Sequence, residues 1–203
     1  MSKKKIGIIA VICVVVVIAV VLLIIILSNS NKNKITYNDG QTYKVKVNLP
    51  ETTNETAEYT FVENNSEEAE KQLNNVFADF AIVGEKANIE FEKKIYVFQD
   101  TLEYKEKYGE EKANFENFKK YVKDTEINGD MYTNVNELKI NGTDAIQYIY
   151  NNTLITVLNT DNIDKDTYIS IRIYPKDENE NISTIMEDEE IQNILNTVKF
   201  SKK

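Results

Sequence analysis

The stretch Asn134–Leu158, NVNELKINGTDAIQYIYNNTLITVL, decides the fold class. At its centre stands Asn141-Gly142, a pair that accepts positive φ at both central positions of a two-residue hairpin turn. The flanks Asn134–Ile140 and Thr143–Tyr150 read as its two strands, and Thr153–Leu158 and Thr167–Tyr174 extend the meander. In the last of these, Ile169, Ile171 and Ile173 share one face, while Tyr168, Ser170, Arg172 and Tyr174 share the other, as a two-residue period demands.

Working outward from this meander, Thr42–Asn48 alternates with Tyr43, Val45 and Val47 on one face, and Asn38-Asp39-Gly40 turns it back on Ile35 and Tyr37 as an opening hairpin. Glu58–Glu63 adds a short strand. Ala69, Leu73, Val76, Phe77 and Phe80 fall on one stripe of a helix over 66–82, with Asn65 and Glu68 as its N-terminal cap. Ile89, Phe91, Ile95 and Val97 indicate strand, interrupted at Lys93 and Lys94. Asp100 and Glu103 open a capping box, and Gly109 divides the helix-favouring run Leu102–Lys123 into two helices. The second carries Phe115, Phe118, Tyr121 and Val122 on one side, a core stripe in preference to a ligand groove. Ile191, Ile194, Leu195 and Val198 mark a final amphipathic helix, and Glu187–Glu190 sit at its start, where the dipole favours acids. Pro50 and Pro175 each end a strand. The expected class is α+β, a central antiparallel sheet flanked by helices as an α/β/α sandwich, preceded by one transmembrane helix.

That helix is expected over residues 6–27, which carry no charged or strongly polar side chain. As a helix the run reaches about 33 Å, against a hydrocarbon core of about 30 Å. It exceeds the apolar core of a cleaved secretory signal, so a retained anchor is the preferred reading. Residues 1–5 then form a cytoplasmic tail, 28–34 a flexible linker, and 35–203 an extracytoplasmic domain at the cell membrane.

Composition narrows the chemistry. The 203 residues contain 33 acids, 24 bases, no histidine and one cysteine, Cys13, inside the apolar run. Ser-His-Asp and Cys-His catalysis and an internal disulfide framework are excluded. Residues 28–203 hold all 33 acids and 21 of the 24 bases, a formal charge of 21 − 33 = −12 that disfavours nucleic acid. Only six glycines occur, none spaced as a phosphate-binding loop. No cofactor is expected.

The opening hairpin and strand ending at Pro50, a mid-domain helix, the Asn141-Gly142 hairpin with Ala145, the tyrosine-containing strand Tyr168–Tyr174 and the closing Ile194-Leu195-Asn196-Thr197-Val198 form a series. In this order they resemble the layout of PsbP-like and Ran-binding Mog-like domains. The resemblance spans roughly residues 35–200 and implies a sheet sandwiched between helices, with a binding or assembly role without catalysis. The tryptophan often found soon after the proline is absent, and no family binding residue carries over.

Two candidate sites follow from the residues. Arg172, the lone arginine, lies amid Tyr168 and Tyr174; on an open face it would anchor a carboxylate or a protein partner, and under a covering helix it would pair with a neighbouring acid, the preferred reading. Asp161, Asp164 and Asp166 offer oxygens of the kind calcium takes, but their spacing departs from the EF-hand pattern, and turn formation is the preferred reading. The functional expectation is a non-catalytic binding or accessory module of the bacterial cell envelope, with another envelope protein as partner. The alternatives are a surface hydrolase using paired carboxylates and an extracytoplasmic solute sensor.

Overall fold

Strand pairing dominates the computed structural model, which describes residues 34–39, 43–49, 59–64, 66–95, 114–127, 129, 131–162 and 167–202. Contacts set Ile35–Lys203 apart as one compact unit. In chain order the elements are β1 (Lys34–Asn38), β2 (Tyr43–Asn48), β3 (Thr60–Glu63), α1 (Ala69–Gln72), β4 (Phe80–Val83), β5 (Ala87–Ile95), α2 (Phe115–Ile127), β6 (Thr133–Ile140), β7 (Thr143–Tyr150), β8 (Thr153–Leu158), β9 (Thr167–Pro175), α3 (Ile182–Met186), α4 (Glu189–Thr197) and β10 (Lys199–Lys202). They build two antiparallel sheets, a three-stranded one ordered β1-β2-β10 and a seven-stranded one ordered β3-β4-β5-β9-β8-β7-β6.

The β6–β9 meander forms where its sequence places it. Asn141 and Gly142 adopt φ of 48° and 84°, and Asn151 and Asn152 adopt 47° and 56°. Two-residue turns of this hand match the strand twist, and asparagine tolerates the left-handed region better than most residues with a Cβ. Asn152 also ties the meander to the C-terminal helices: its Oδ1 accepts from the Ile182 amide at 2.9 Å and its Nδ2 donates to the Glu180 carbonyl at 2.9 Å.

Two apolar clusters lie on opposite faces of the large sheet. On one, Phe80, Ile82, Ile89, Phe91, Leu154, Leu158, Ile169, Ile171 and Ile173 join Val45 and Val47 of β2 and Ile191, Ile194 and Leu195 of α4. Phe80 is sandwiched between rings, stacked on Tyr37 at 4.6 Å and on Phe91 at 4.4 Å. On the other face, Phe115, Phe118 and Val122 of α2 cover Ile146, Tyr148, Ile155 and Val157. The expected stripe on this helix is a core stripe.

The expected α/β/α sandwich is corrected by this arrangement. Among the described residues the domain is mostly β, the helices α1 to α4 hold 4, 13, 5 and 9 residues, and a second sheet shares the covering of the first cluster. The physical reason is β10: Lys199–Lys202 does not trail from the last helix but pairs antiparallel with Tyr43–Lys46, closing the small sheet. The helix expected over 66–82 is likewise reduced to Ala69–Gln72, because Leu73 turns to extended backbone (φ −85°, ψ 132°) and Phe80 enters β4 opposite Phe91. The helix expected from Leu102 to Gly109 lies outside the described residues. So do residues 6–27, and among the described residues no helix is long and apolar enough to cross a membrane, so the expected spanning helix is not part of the observed fold.

Candidate functional site

Strand β5 reads ANIEFEKKI, and its alternation sends Ala87, Ile89 and Phe91 into the apolar cluster while Asn88, Glu90 and Glu92 take the opposite face. Register with β9 sets Asn88 beside Tyr174, Glu90 beside Arg172, Glu92 beside Ser170 and Lys94 beside Tyr168. The arginine–tyrosine face expected from sequence therefore meets two acids, Glu90 and Glu92, that lie eighteen and twenty positions beyond the end of the short helix α1. Asn88, Glu90 and Glu92 are buried.

The loop after α1 lies over this row. Glu90 Oε1 accepts from the Asn74 amide at 2.5 Å and Oε2 from the Asn75 amide at 3.0 Å. Asn75 Nδ2 donates to Glu92 Oε2 at 2.9 Å, and Asn88 Nδ2 donates to the Gln72 carbonyl and to Asn74 Oδ1, each at 2.8 Å. With its amides captured by a carboxylate, the chain at 74–75 cannot continue the helical ladder of α1.

Burial pushes the Glu90 carboxyl up to about 7, against the two amides and Arg172, which favour the charged form, and with the help of Glu92. Arg172 shares a side-chain hydrogen bond with Tyr174, and its Nη2 lies 3.9 Å from Glu92 Oε2. Burial alone would lower its pKa, yet Tyr174, Glu92 and Tyr148 carry it upward. Arg172 Nε is buried with no hydrogen-bond partner among the described residues. Tyr168 stacks on Phe118 of α2 at 5.4 Å, and its hydroxyl is pushed up to about 12, by burial first and by Glu92 second. Lys94 Nζ closes the row at 3.2 Å from Glu92 Oε2.

Arg172, Tyr168 and Tyr174 are thus brought together on one strip, largely inside the protein. Asp161 lies in the turn after β8, where its amide donates to Asn159 Oδ1 at 3.0 Å; Asp164 and Asp166 lie outside the described residues. Among the described residues no group of three or more His, Cys, Asp or Glu side chains is placed to hold a metal ion. Glu90 and Glu92 were missed by sequence reading, although acids alternating with Ile89 and Phe91 were the available signal.

Several cavities lie elsewhere among the described residues. One of about 270 Å³ is lined by Phe115, Lys119, Glu137 and Leu138 among others, and a wide one of about 700 Å³ by Glu85, Lys86 and Lys176–Glu180. One of about 20 Å³ adjoins Tyr59 and Glu190, and one of about 320 Å³ adjoins Asn159 and Asp161. None of these is lined by Glu90, Glu92 or Arg172. What the strip does chemically is hold a loop. No family model, no curated protein and no solved structure matches the chain.

Proposed function

We propose that the chain is a non-catalytic binding or accessory module of the bacterial cell envelope, held at the membrane through the apolar run 6–27, with the 35–203 domain on the outer side and another envelope protein as its partner. The observation that carries this reading is the engagement of Glu90. A carboxyl with a pKa of about 7 has the acidity of a general acid or base, but both its oxygens already accept from the protein's own backbone, so it faces a loop instead of a substrate. Kinship with PsbP-like domains is proposed with it, supported by the opening hairpin, the Asn141-Gly142 hairpin and the terminal helix, and without the helix-flanked sandwich.

The test is affinity capture from native membranes with the full chain, beside a screen of the same preparation for glycoside and ester hydrolysis. Stoichiometric recovery of one envelope protein without turnover is the expected result. Turnover that disappears in both Glu90→Gln and Glu92→Gln would replace the proposal with the paired-carboxylate hydrolase.

A further inference from the structure

Resting on the binding-module reading, we propose that the loop 73–78 is the docking tip of this domain. Val76 and Phe77 enter an apolar pocket of a protein partner whose rim carries lysine or arginine, and Glu90 is the positioning residue that holds the backbone of the tip from beneath.

Exposure marks the tip. Val76 is 71% exposed and Phe77 is 73% exposed, side by side, while Ala78 and Phe80 immediately after them are fully buried. Two adjacent large apolar side chains held in water while their neighbours are buried do nothing for the core, and such residues are the anchors of protein interfaces.

The tip is built, and its shape is over-determined by polar contacts. Besides the two amides on Glu90, the Phe77 amide donates to Asn75 Oδ1 at 3.1 Å, the Ala78 amide donates to the Asn75 carbonyl at 3.0 Å, and Asn64 Nδ2 donates to the Val76 carbonyl at 3.1 Å. Ordering an apolar loop before the partner arrives removes part of the entropy cost of binding.

Charge selects the partner. The sequence flanking the tip, positions 63 to 79, carries Glu63, Glu67, Glu68, Glu70 and Asp79 against Lys71, a formal 1 − 5 = −4. Anionic lipid headgroups and a second copy of this acidic domain are both repelled by that charge, whereas a pocket edged by cations is attracted.

Glu90 supplies the means to test the positioning role. The charged and titratable groups that face it among the described residues are Glu92 on its own strand and Arg172 and Tyr174 on β9; β4 places Ala81 opposite it, and the loop contributes only amides and asparagine side chains. Protonation leaves one good acceptor for two amides, so the tip loosens as pH falls through about 7.

The experiment places a photoreactive phenylalanine analogue at position 77 of the full chain in native membranes, with a second chain carrying it at Ile127, which is 79% exposed on α2, as control. The expected result is one protein adduct from position 77, mapped to a segment of another chain with apolar residues flanked by Lys or Arg. Binding of that purified partner should fall at least about tenfold with Phe77→Ser, as for an interface anchor. Adduct yield should drop roughly threefold to tenfold between about pH 8 and about pH 6 and stay flat in Glu90→Gln, whose unfolding midpoint is measured alongside. A lipid adduct, an adduct to the same chain, or a contacted segment without that chemistry overturns the assigned partner. A pH profile shared by the parent and Glu90→Gln overturns the role of Glu90. An adduct from Ile127 and none from position 77 overturns the tip while the binding-module reading stands; none from either position overturns both.

Discussion

On one side of β5 and β9, Ile89, Phe91, Ile171 and Ile173 pack against Phe80 and the small sheet; on the other, Asn88, Glu90 and Glu92 are equally buried, beside Arg172 and Tyr174. The same two strands therefore supply two interiors. On the apolar face each side chain contributes by area and fit, and its loss leaves a cavity. On the polar face each group contributes only through a partner, and a carboxylate that loses one leaves backbone amides or a guanidinium unpaired in a poor solvent. The apolar interior stabilises the domain, and the polar one sets the shape of a loop. The division is not absolute, because the pair Gln147 Nε2 to Thr156 Oγ1, at 2.9 Å, is buried on the apolar side.

The comparison is broken most strongly at Phe80. Phe80→Ala removes a fully buried ring between Tyr37 and Phe91 and is expected to cost about 3–5 kcal/mol, read as the shift in urea unfolding midpoint at constant slope.

The polar face answers to pH. Glu90 is raised from 4.5 to about 7 in the folded protein, so between those values the folded state keeps a proton that the unfolded chain has released. Its contribution to stability is full below about pH 4.5 and is lost as pH rises through about 7, a change of about 3 kcal/mol. Glu90→Gln should flatten that slope in denaturant titrations across the same window. A slope unchanged by the substitution would mean that the carboxyl is not held as described.

The Gln147–Thr156 pair sharpens the rule that polar groups matter through partners. Thr156→Val alone should cost about 1–3 kcal/mol by stranding the Gln147 amide, and adding Gln147→Leu should recover most of it. Equal losses in the single and double variants would show that the site resists apolar packing for some other reason.

Smallest of all, Phe77→Ser should leave stability within about 0.5 kcal/mol of the parent by the same unfolding measurement, because the ring is exposed. A larger loss would make Phe77 part of the fold and remove the distinction between core and tip.

Much of this was legible in the residues. Asn141-Gly142 named its hairpin, and the alternation Tyr168, Ser170, Arg172, Tyr174 named one face of β9, because both signals are local. The segment 66–82 misled because Ala69, Leu73, Val76, Phe77 and Phe80 keep helical spacing while answering to different surroundings: Val76 and Phe77 point to water, and Phe80 belongs to a strand. What ends the helix is a carboxylate fifteen or sixteen positions beyond the amides it captures, which no local pattern reports. Strand β10 was hidden for the same reason, since KFSK becomes a strand only beside β2, over 150 positions earlier. Glu90 and Glu92 were passed over because an acid in a strand ordinarily marks the solvent face, and only the overlying loop makes that face an interior.

The sequence by itself determined the acidic charge, the absence of histidine chemistry, the apolar run at 6–27, the turns of the meander and the apolar stripe of α2. These depend on composition or on residues a few positions apart, where backbone preference and side-chain period act directly. Only the tertiary structure decided that a second sheet joins the cover of the core, that the helix of 66–82 stops after one turn, and that Arg172 meets acids indoors. Each of those outcomes is a contact between distant parts of the chain, and burial, which sets the acidity of Glu90 and exposes Phe77, exists only once those parts have met.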